Sequence, residues 1–183
     1  MRRVINNLIS VAYSLVKFFI IKILNPNGFR FFPIQRFSPN VVTEFNRNSK
    51  VNLGKMVRVH SGTKIKVRKG ASLTIGANAK INYNCVIVCH NSVHIGEGTE
   101  FGPSVYLYDH DHDFRIGLKE NKYISSPIVI GKNCWIGANT VILRGTTIGD
   151  NCVIGAGSVV KGDFPANTVI VQKRQTTLHT ISA

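Results

Sequence analysis

The clearest pattern of apolar and polar positions runs from residue 130 to residue 160. An apolar residue recurs there at every sixth position, and a small residue follows four places after each of the first five. The apolar positions are Ile130, Ile136, Ile142, Ile148, Ile154 and Val160, and the small ones are Cys134, Thr140, Thr146, Cys152 and Ser158. A period of six fits neither one face of an α-helix nor the alternation of a simple strand. It is typical of a parallel β-helix, in which three hexapeptides form one triangular coil and residues eighteen apart stack.

The repeat predicts an all-β coil over residues 51–170. The spacing of six also holds from residue 75 to residue 93 and then slips by two at Ile95, which indicates a small insertion at a corner of the coil. Glycine often follows the apolar residue directly, as at Gly131 and Gly137. We expect these glycines to allow the bent backbone of a corner.

Three further segments flank or interrupt the repeat. Residues 108–126 are polar, charged and aperiodic between clean repeats, so they predict a loop extruded from the coil. Long loops on rigid scaffolds usually carry function. Residues 29–50 are rich in phenylalanine and show no clear period, and we interpret them as an irregular linker that covers one end of the coil. Residues 171–183 form a C-terminal tail.

Residues 1–28 predict an amphipathic helix. Lys17 and Lys22 interrupt its apolar run, so the uninterrupted part is too short to span a bilayer. One helical stripe carries the polar side chains of Asn6, Asn7, Ser10, Ser14 and Lys17. Two interpretations are open. Residues 1–25 lie on the anionic cytoplasmic face of a membrane, or the helix packs against the coil or a sister subunit.

The charge narrows the classes of partner, and the cysteine pattern indicates the redox compartment. The chain has 23 Lys and Arg against 9 Asp and Glu, a formal charge of +14, which favours an anionic partner. No zinc-finger, helix-turn-helix or RNA-binding signature indicates nucleic acid. The four cysteines form no CxxC pair, and three of them occupy the small position of the repeat. We therefore expect buried thiols in a reducing cytoplasm.

The extruded loop opens with the sequence DHDHD at residues 109–113. Imidazole titrates near neutral pH, and a neighbouring carboxylate fixes its tautomer, so His110 or His112 suits a general base. The H-x-H spacing among carboxylates also suits a divalent metal ion. A solvated polar loop is the third interpretation, and the residues alone leave all three open.

The coils, the loop and two motifs together resemble the left-handed β-helix acyltransferases. The motifs are PIVIG at 127–131 with CWIGA at 134–138, and IGAGS at 154–158. The resemblance covers about residues 75–170 and is strongest to the galactoside and maltose O-acetyltransferases and the capsule and O-antigen acetyltransferases. It implies a left-handed coil and a homotrimer with clefts between neighbouring coils.

The activity implied by this resemblance is transfer of an acetyl group from acetyl-CoA to a sugar hydroxyl, with a histidine base and no acyl-enzyme. We therefore expect an O-acetyltransferase of capsule, O-antigen or exopolysaccharide biosynthesis. It would be cytoplasmic or peripheral on the inner face of the membrane.

The resemblance also carries over site residues. Placing the catalytic histidine first after the strand selects His110, whereas an ungapped count selects His112, and we prefer His110. Three residues match positions at the acceptor: Asn82, His90 and Trp135. His90 replaces the family's acidic acceptor residue, which argues against galactoside and maltose substrates. The coenzyme positions match Trp135, Ala138, Ala156, Lys161, Lys173 and Arg174, although the family's motif after the last coil is missing.

Three other functions stay open at this point. An N-acetyltransferase acting on an amino-sugar nucleotide would use the same base. A β-helix of the carbonic anhydrase type would need three histidines that meet across subunits, drawn from His90, His110 and His112, and it would leave Trp135 without a role. A non-catalytic β-helix would leave the DHDHD loop unexplained. In the preferred interpretation no residue is a metal ligand.

Overall fold

One helix and a long parallel coil make up the described part of the protein. This computed structural model describes residues 2–116, 122–173, 175 and 177. The helix α1 is Arg2–Leu24, and the strands that follow wind into three parallel sheets. Each turn hydrogen-bonds to the turns before and after it, as in other solenoids.

Each sheet is one face of a triangular prism. The first face consists of Phe29–Phe31, Lys50–Leu53, Ser72–Ile75, Ser92–Ile95, Ile128–Ile130, Thr147–Ile148 and Asp163–Phe164. The second face consists of Arg36–Phe37, Arg58–Val59, Lys80–Ile81, Glu100–Phe101, Trp135–Ile136, Val153–Ile154 and Val169–Ile170. The third face consists of Val42–Phe45, Lys64–Val67, Val86–Cys89, Tyr106–Tyr108, Val141–Leu143 and Val159–Val160. We name each corner after the face that it follows, so the third corner leads into the next turn.

The turns shorten along the chain. Phe29 pairs with Val51 and Val51 with Leu73, so each of these early turns holds 22 residues. Ile130 pairs with Ile148, which is the separation of eighteen that the repeat predicts. The early turns are longer because most of their strands on the first and third faces have four residues, such as KVNL and KIKV. This extra length is why the hexapeptide spacing is imperfect in the N-terminal half.

The irregular linker predicted for residues 29–50 is wrong, because this segment already forms the first turn of the coil. Its three strands pair in parallel with those of the second turn. Phe29 and Phe37 point inward and are fully buried. Their rings lie 5.5 Å and 4.8 Å from the ring of Phe18 in α1. Large aromatic side chains thus fill the wide end of the core where the helix closes it, and they conceal the repeat.

The small position of the repeat is buried throughout, as predicted. The Cys, Thr and Ser side chains at these positions are at most 2 % exposed, and all four cysteines are buried free thiols. The residue just before the small one is usually Asn or Gly with a positive φ, for example Asn139 at 56° and Gly157 at 70°. Asn and Gly tolerate this left-handed conformation, so they produce the bend of the corner.

The glycine after the apolar residue is required for a different reason from the one expected. A Cβ added to Gly137 would lie 2.5 Å from the backbone N of Ala156 on the next turn. Close approach between stacked corners, and not a left-handed φ, therefore excludes a side chain at this position.

Helix α1 lies against the first turn, with Ser14 of the polar stripe and Phe18 buried against the coil. Ser14 Oγ accepts a hydrogen bond from the backbone N–H of Phe37 at 2.9 Å. Lys17 Nζ donates to the backbone carbonyl of Val41 at 3.0 Å. These polar contacts cover part of the open strand edge that the first turn would otherwise present to solvent.

Apart from Phe18 in the core, most of the apolar side of α1 consequently faces outward. The exposed fractions of these outward side chains range from 46 % at Leu15 to 75 % at Leu24. The exposed apolar side chains are those of Val4, Ile5, Leu8, Ile9, Leu15, Val16, Phe19, Ile20, Ile23 and Leu24. By length and composition alone, the segment Val4–Leu24 is sufficient to cross a membrane, contrary to the expectation that its apolar part is too short.

The extruded loop leaves the coil at the third corner. Its strands His110–His112 and Tyr123–Ser125 pair antiparallel, and the short 3-10 helix Phe114–Ile116 follows the first of them. Arg144 Nε, at the third corner of the next turn, donates to Asp111 Oδ2 at 2.5 Å. This bond fastens the base of the loop to the coil.

Candidate active site

Two histidines stack at the third corner. His90 follows the strand Val86–Cys89, and His110 begins the hairpin one turn later. Their ring centroids are 3.8 Å apart with an interplanar angle of 21°. Tyr123, on the returning strand of the hairpin, lies edge-on to both rings at 4.5 Å and 5.3 Å. Ring contacts on two sides therefore fix the orientation of His110.

A buried carboxylate lies beside His110. Asp109 is 0 % exposed, and it accepts the backbone N–H groups of His90, at 2.8 Å to Oδ1, and of Asn91, at 2.7 Å to Oδ2. Its Oδ1 is also 3.3 Å from Nδ1 of His110. This contact favours the tautomer in which Nδ1 carries the proton, which leaves the Nε2 lone pair to accept a proton from a ligand.

The surroundings of this pair favour a neutral His90. Burial lowers the pKa of His90, and the charge of neighbouring His110 lowers it further. Burial also raises the pKa of the Cys89 thiol, and the negative charge of Asp109 adds to that effect. His90 therefore stays uncharged beside the ring of His110 to a lower pH than a free imidazole would.

The second candidate base is placed differently. His112 lies on the same hairpin strand but is exposed, and its ring contacts Tyr123 at 4.7 Å. Of the two histidines, His110 is the one that contacts the buried carboxylate. Within the described ranges, no group of three or more His, Cys, Asp or Glu side chains is arranged to hold a metal ion.

The remaining predicted residues lie mainly at the second corner and its face. Trp135 is on the second face and is 47 % exposed. Ala138 and Ala156 occupy the second corner on consecutive turns, and Gly137 lies close to the backbone of Ala156 there. Asn82 lies at the same corner nearer the helix, and its Oδ1 accepts the backbone N–H of Tyr83 at 2.9 Å.

The residues therefore form two separate half-sites within one chain. We call His90, Asp109, His110 and Tyr123 the histidine half-site, and Trp135, Ala138 and Ala156 the corner half-site. A whole strand of the third face separates the second corner from the third. The exposed Lys161 lies at the third corner, and Lys173, also exposed, follows the last strand. Arg174 lies outside the described residues.

Comparison with known proteins finds similarity over part of the chain. Residues 127–161 match the model described as the hexapeptide repeat of succinyl-transferase. The chain is 46% identical over 101 residues to Nodulation protein L of Rhizobium meliloti (strain 1021), an alignment that covers 55% of each protein. It is 45% identical over 100 residues to Galactoside O-acetyltransferase of Escherichia coli (strain K12), covering 54% of this chain and 49% of that protein. The match thus spans about half the length of these curated relatives.

Solved structures share the fold. A mutant of AntD, an N-acyltransferase from Bacillus cereus in complex with dTDP-4-amino-4,6-dideoxyglucose and Coenzyme A, matches with a TM-score of 0.64 at 16% identity, over 76% of each chain. The prediction of an all-β, left-handed parallel β-helix is confirmed. The chain carries a hexapeptide repeat and has the left-handed parallel β-helix fold, as its sequence indicates.

Proposed function

We propose that the protein transfers an acetyl group from acetyl-CoA to a sugar hydroxyl, with His110 as the general base. The observation that carries this proposal is the buried Asp109 carboxylate 3.3 Å from Nδ1 of His110. A histidine held in this way presents Nε2 as a proton acceptor, the arrangement that general-base catalysis requires. The sequence similarity to a galactoside O-acetyltransferase supports a hydroxyl acceptor.

His110 performs the proton transfer. Its Nε2 accepts the hydroxyl proton while the sugar oxygen bonds to the thioester carbonyl carbon. When the C–S bond breaks, the proton on His110 passes to the coenzyme sulfur, and Asp109 stabilises the imidazolium in between. Acetyl-CoA supplies an acyl group that is already activated, so no serine or cysteine nucleophile is required. The four cysteines are buried in the coil and play no part in this scheme.

The corner half-site fits the extended arm of the coenzyme. Ala138 and Ala156 carry only methyl side chains, and Trp135 is exposed beside them. This leaves a smooth strip along the second corner on which a thin, flexible chain is able to lie. Lys161 and Lys173 are exposed cations for the coenzyme phosphates.

An amine acceptor is the second candidate. AntD, which shares the fold, is an N-acyltransferase whose structure holds an amino-sugar nucleotide. The same base at His110 would remove a proton from an amine. We favour the hydroxyl because the sequence similarity to the O-acetyltransferase is far higher than that to AntD.

Release of the CoA thiol tests this proposal. We would assay wild type, His110→Ala and His112→Ala with acetyl-CoA over matched hydroxy and amino sugars. Loss of a general base lowers turnover by about 10²–10⁴-fold, so His110→Ala should lose that much and His112→Ala less than about tenfold. Calorimetry should show that His110→Ala still binds acetyl-CoA. Equal turnover of His110→Ala and wild type would refute the mechanism, and preference for amino sugars would establish the second candidate.

We propose further that the working form is a homotrimer. The histidine half-site and the corner half-site lie on different corners of one chain, so a complete site requires two copies. A C₃ arrangement lets the third corner of one copy face the second corner of its neighbour. Light scattering should give three times the chain mass of 20.2 kDa.

Mixing two inactive variants tests this shared site directly. His110→Ala and Trp135→Ala should each be inactive, and co-refolded mixtures should regain activity at the clefts that pair two intact half-sites. A fully active monomer, or mixtures without recovered activity, would refute the trimeric site.

We also propose that α1 places the enzyme on an anionic membrane surface at the cytoplasmic side. Its polar stripe is bonded to the coil through Ser14 and Lys17, so the helix lies along the coil and presents its apolar side outward. Residues 1–70 contain 14 of the 23 Lys and Arg but only one of the 9 acidic residues. An exposed apolar helix amid cations matches an anionic bilayer interface. Saccharide precursors of capsule, O-antigen or exopolysaccharide are the acceptors that this location favours.

Vesicle sedimentation tests the membrane contact. The protein should bind vesicles containing phosphatidylglycerol, and binding should weaken with salt. Leu8→Glu with Phe19→Glu, on the outward side of α1, should abolish it. The control Val153→Glu, on an exposed strand position of the coil, should leave it unchanged. Equal binding by both variants would show that the helix is not the contact.

A further inference from the structure

A polar pocket lies on the first face of the coil, beside the turn that follows α1. Its volume is about 380 Å³, which is within the range of small-molecule sites. Two apolar residues of its lining, Val51 and Leu73, are 1 % exposed and belong to the core. The lining that reaches solvent is polar and consists of Asn27, Arg30, Lys50, Asn52, Ser72 and Thr74.

The charged residues of this lining are two cations on neighbouring strands. Phe29 pairs with Val51, so Arg30 stands beside Asn52 and diagonally from Lys50. Neighbouring strands lie about 4.8 Å apart and the rise per residue is about 3.3 Å, so these two side chains start about 8 Å from each other. One small anion is therefore able to contact both. Within the described ranges neither cation takes part in an ion pair.

Other cations of the early turns do have acidic partners. Glu44 bonds to Lys66 at 3.0 Å on the third face, and Glu100 bonds to Lys80 on the second face. Among the described strands of the first face, the one acidic residue is Asp163, on the last strand. The pocket thus keeps two positive charges that an anionic ligand would neutralise.

Gly28 leaves space over one of the cations. The backbone N–H of Val51 donates to the carbonyl of Gly28 at 2.7 Å, which places Gly28 beside Lys50. A Cβ on Gly28 would lie 2.3 Å from the carbonyl oxygen of Ser49, so this position accepts no side chain. Lys50 consequently has open space on one side and its strand partner Ser72 on the other.

Uncharged polar side chains stand beside the two cations. Asn52 pairs with Thr74 on the next strand, and Lys50 pairs with Ser72. In the part of the chain that the structure describes, the side chains of Asn52, Ser72 and Thr74 make no hydrogen bond to the protein. Amide and hydroxyl groups supply both donors and acceptors, which is what the hydroxyl groups of a sugar require.

We propose that this pocket binds a sugar phosphate, with the phosphate between Arg30 and Lys50. A phosphate monoester carries about −1.5 to −2 charges near pH 7 and has three acceptor oxygens, so it matches two cations. Arginine binds two of these oxygens through paired N–H groups, and lysine adds a point charge. The neutral side chains Asn52, Ser72 and Thr74 bind the sugar hydroxyls.

The pocket is separate from the proposed transferase site. The histidine half-site lies at the third corner and the corner half-site at the second, whereas the pocket lies on the first face. Sugar phosphate binding therefore does not rest on the proposed acetyl transfer. It gives the protein a second carbohydrate site beside the proposed acceptor position.

Calorimetry with α-glucose 1-phosphate tests the pocket on the whole chain. Wild type should bind it saturably, and Arg30→Gln with Lys50→Gln should weaken binding at least about tenfold, since two charge-assisted contacts are lost. The control Lys64→Gln with Lys69→Gln removes two exposed cations that lie outside the pocket, and it should change binding less than twofold. No binding by wild type, or equal binding by wild type and the Arg30–Lys50 variant, would overturn the proposal.

Ser72→Glu tests the same location and keeps both cations. Its carboxylate would stand beside Lys50 and take the place of the phosphate, so binding should again fall at least about tenfold. Ser72 is on the outer side of its strand, so the change leaves the core intact, and an unaltered urea midpoint should confirm this. Binding equal to that of wild type would show that the phosphate lies elsewhere.

Related probes identify the class of ligand. Free glucose lacks the charge and inorganic phosphate lacks the sugar hydroxyls, so each should bind at least about tenfold more weakly than glucose 1-phosphate. Glycerophosphoglycerol, the headgroup of phosphatidylglycerol, is a phosphodiester with less charge and should also bind more weakly. Inorganic phosphate that binds as tightly as glucose 1-phosphate would overturn the role of the sugar. Tighter binding of glycerophosphoglycerol would assign the pocket to a lipid headgroup and overturn the sugar phosphate.

CoA thiol release separates the pocket from the transferase site. Arg30→Gln with Lys50→Gln should keep acetyl transfer to a small neutral sugar within about twofold of wild type, since neither residue belongs to a half-site. A larger loss would show that the pocket is part of the acceptor site and overturn its independence. If wild type binds glucose 1-phosphate but transfers acetyl to no sugar, the proposed function fails and the sugar phosphate site stands.

Discussion

Asparagine in place of Asp109 removes one charge and keeps the shape of the side chain. In the native cluster one carboxylate oxygen faces Nδ1 of His110 and the other accepts the N–H of Asn91. An asparagine has a single oxygen, so its NH₂ group must face one of these two partners. Facing Asn91, it sets two donors against each other and loses a hydrogen bond to a charged acceptor, which costs about 1.5–3 kcal/mol. Facing His110, it donates to Nδ1 and moves the imidazole proton to Nε2.

Both orientations impair acetyl transfer, because both remove the charge that stabilises protonated His110. We expect Asp109→Asn to lower the free energy of unfolding by about 2 kcal/mol and turnover by at least about 100-fold. Urea denaturation followed by Trp135 fluorescence measures the first quantity, and CoA thiol release measures the second.

Asp111→Asn is the matched control in the same loop. Asp111 is half-exposed and paired with Arg144, and exposed ion pairs contribute up to about 1 kcal/mol. Turnover should change less than about threefold, since this carboxylate does not touch the proposed base. Wild-type turnover in Asp109→Asn, or an equal loss in Asp111→Asn, would refute the argument for a buried orienting carboxylate.

Three further predictions follow from the coil and its corners. Gly137→Ala should lower the free energy of unfolding by about 2 kcal/mol or more, because its Cβ would lie 2.5 Å from the N of Ala156. Gly155→Ala has 3.5 Å of space, so in the same urea titration it should lower the free energy of unfolding by under about 0.5 kcal/mol. Met56→Asn should raise the free energy of unfolding by about 0.5–1 kcal/mol, because Met56 has a φ of 59° and Asn tolerates this left-handed conformation better. A lower urea midpoint would contradict this. Acidification from pH 7.5 to 5 should destabilise the fold. The folded state lowers the pKa of His90, so the unfolded chain takes up that proton first as pH falls below about 6.5. His90→Gln should flatten this pH dependence, and an unaltered dependence would exclude His90 as its source.

The sequence predicts the regular part of the coil well and its wide end poorly. From Ile130 onward one hexapeptide makes one side of the prism, so the period reports the fold directly. The first turn has 22 residues and aromatic core side chains, and neither feature matches a spacing of six. A second signal was present: Asn48 before Ser49 repeats the pairing of a left-handed Asn with a small buried residue that marks later corners.

The candidate site depends on tertiary structure for its decisive features. The sequence offers His110 and His112 with three aspartates around them, and nothing local separates them. Stacking on His90 and the burial of Asp109 arise because the third corners of successive turns lie on top of each other. The separation of the histidine half-site from Trp135 likewise follows from the prism and from no sequence pattern.

The orientation of α1 is also a feature that the sequence alone does not predict. Helical periodicity identifies one polar stripe and one apolar side, and the usual expectation is that the apolar side packs inward. Here Ser14 and Lys17 of the polar stripe pack beside the buried Phe18, because the first turn presents an open strand edge whose backbone groups accept and donate hydrogen bonds. The partner surface, and not the helix, decides which side is buried.

The shortening of the turns implies a gradient of local stability along the prism. Early strands such as Ser72–Ile75 bury two inward side chains, whereas late strands such as Thr147–Ile148 bury one. Amide hydrogens of the last turns should therefore exchange fastest with solvent, since fewer apolar contacts oppose their opening. Ala156 lies on these short turns. Coenzyme bound there would stabilise the last turns of the solenoid against local opening, in proportion to its occupancy.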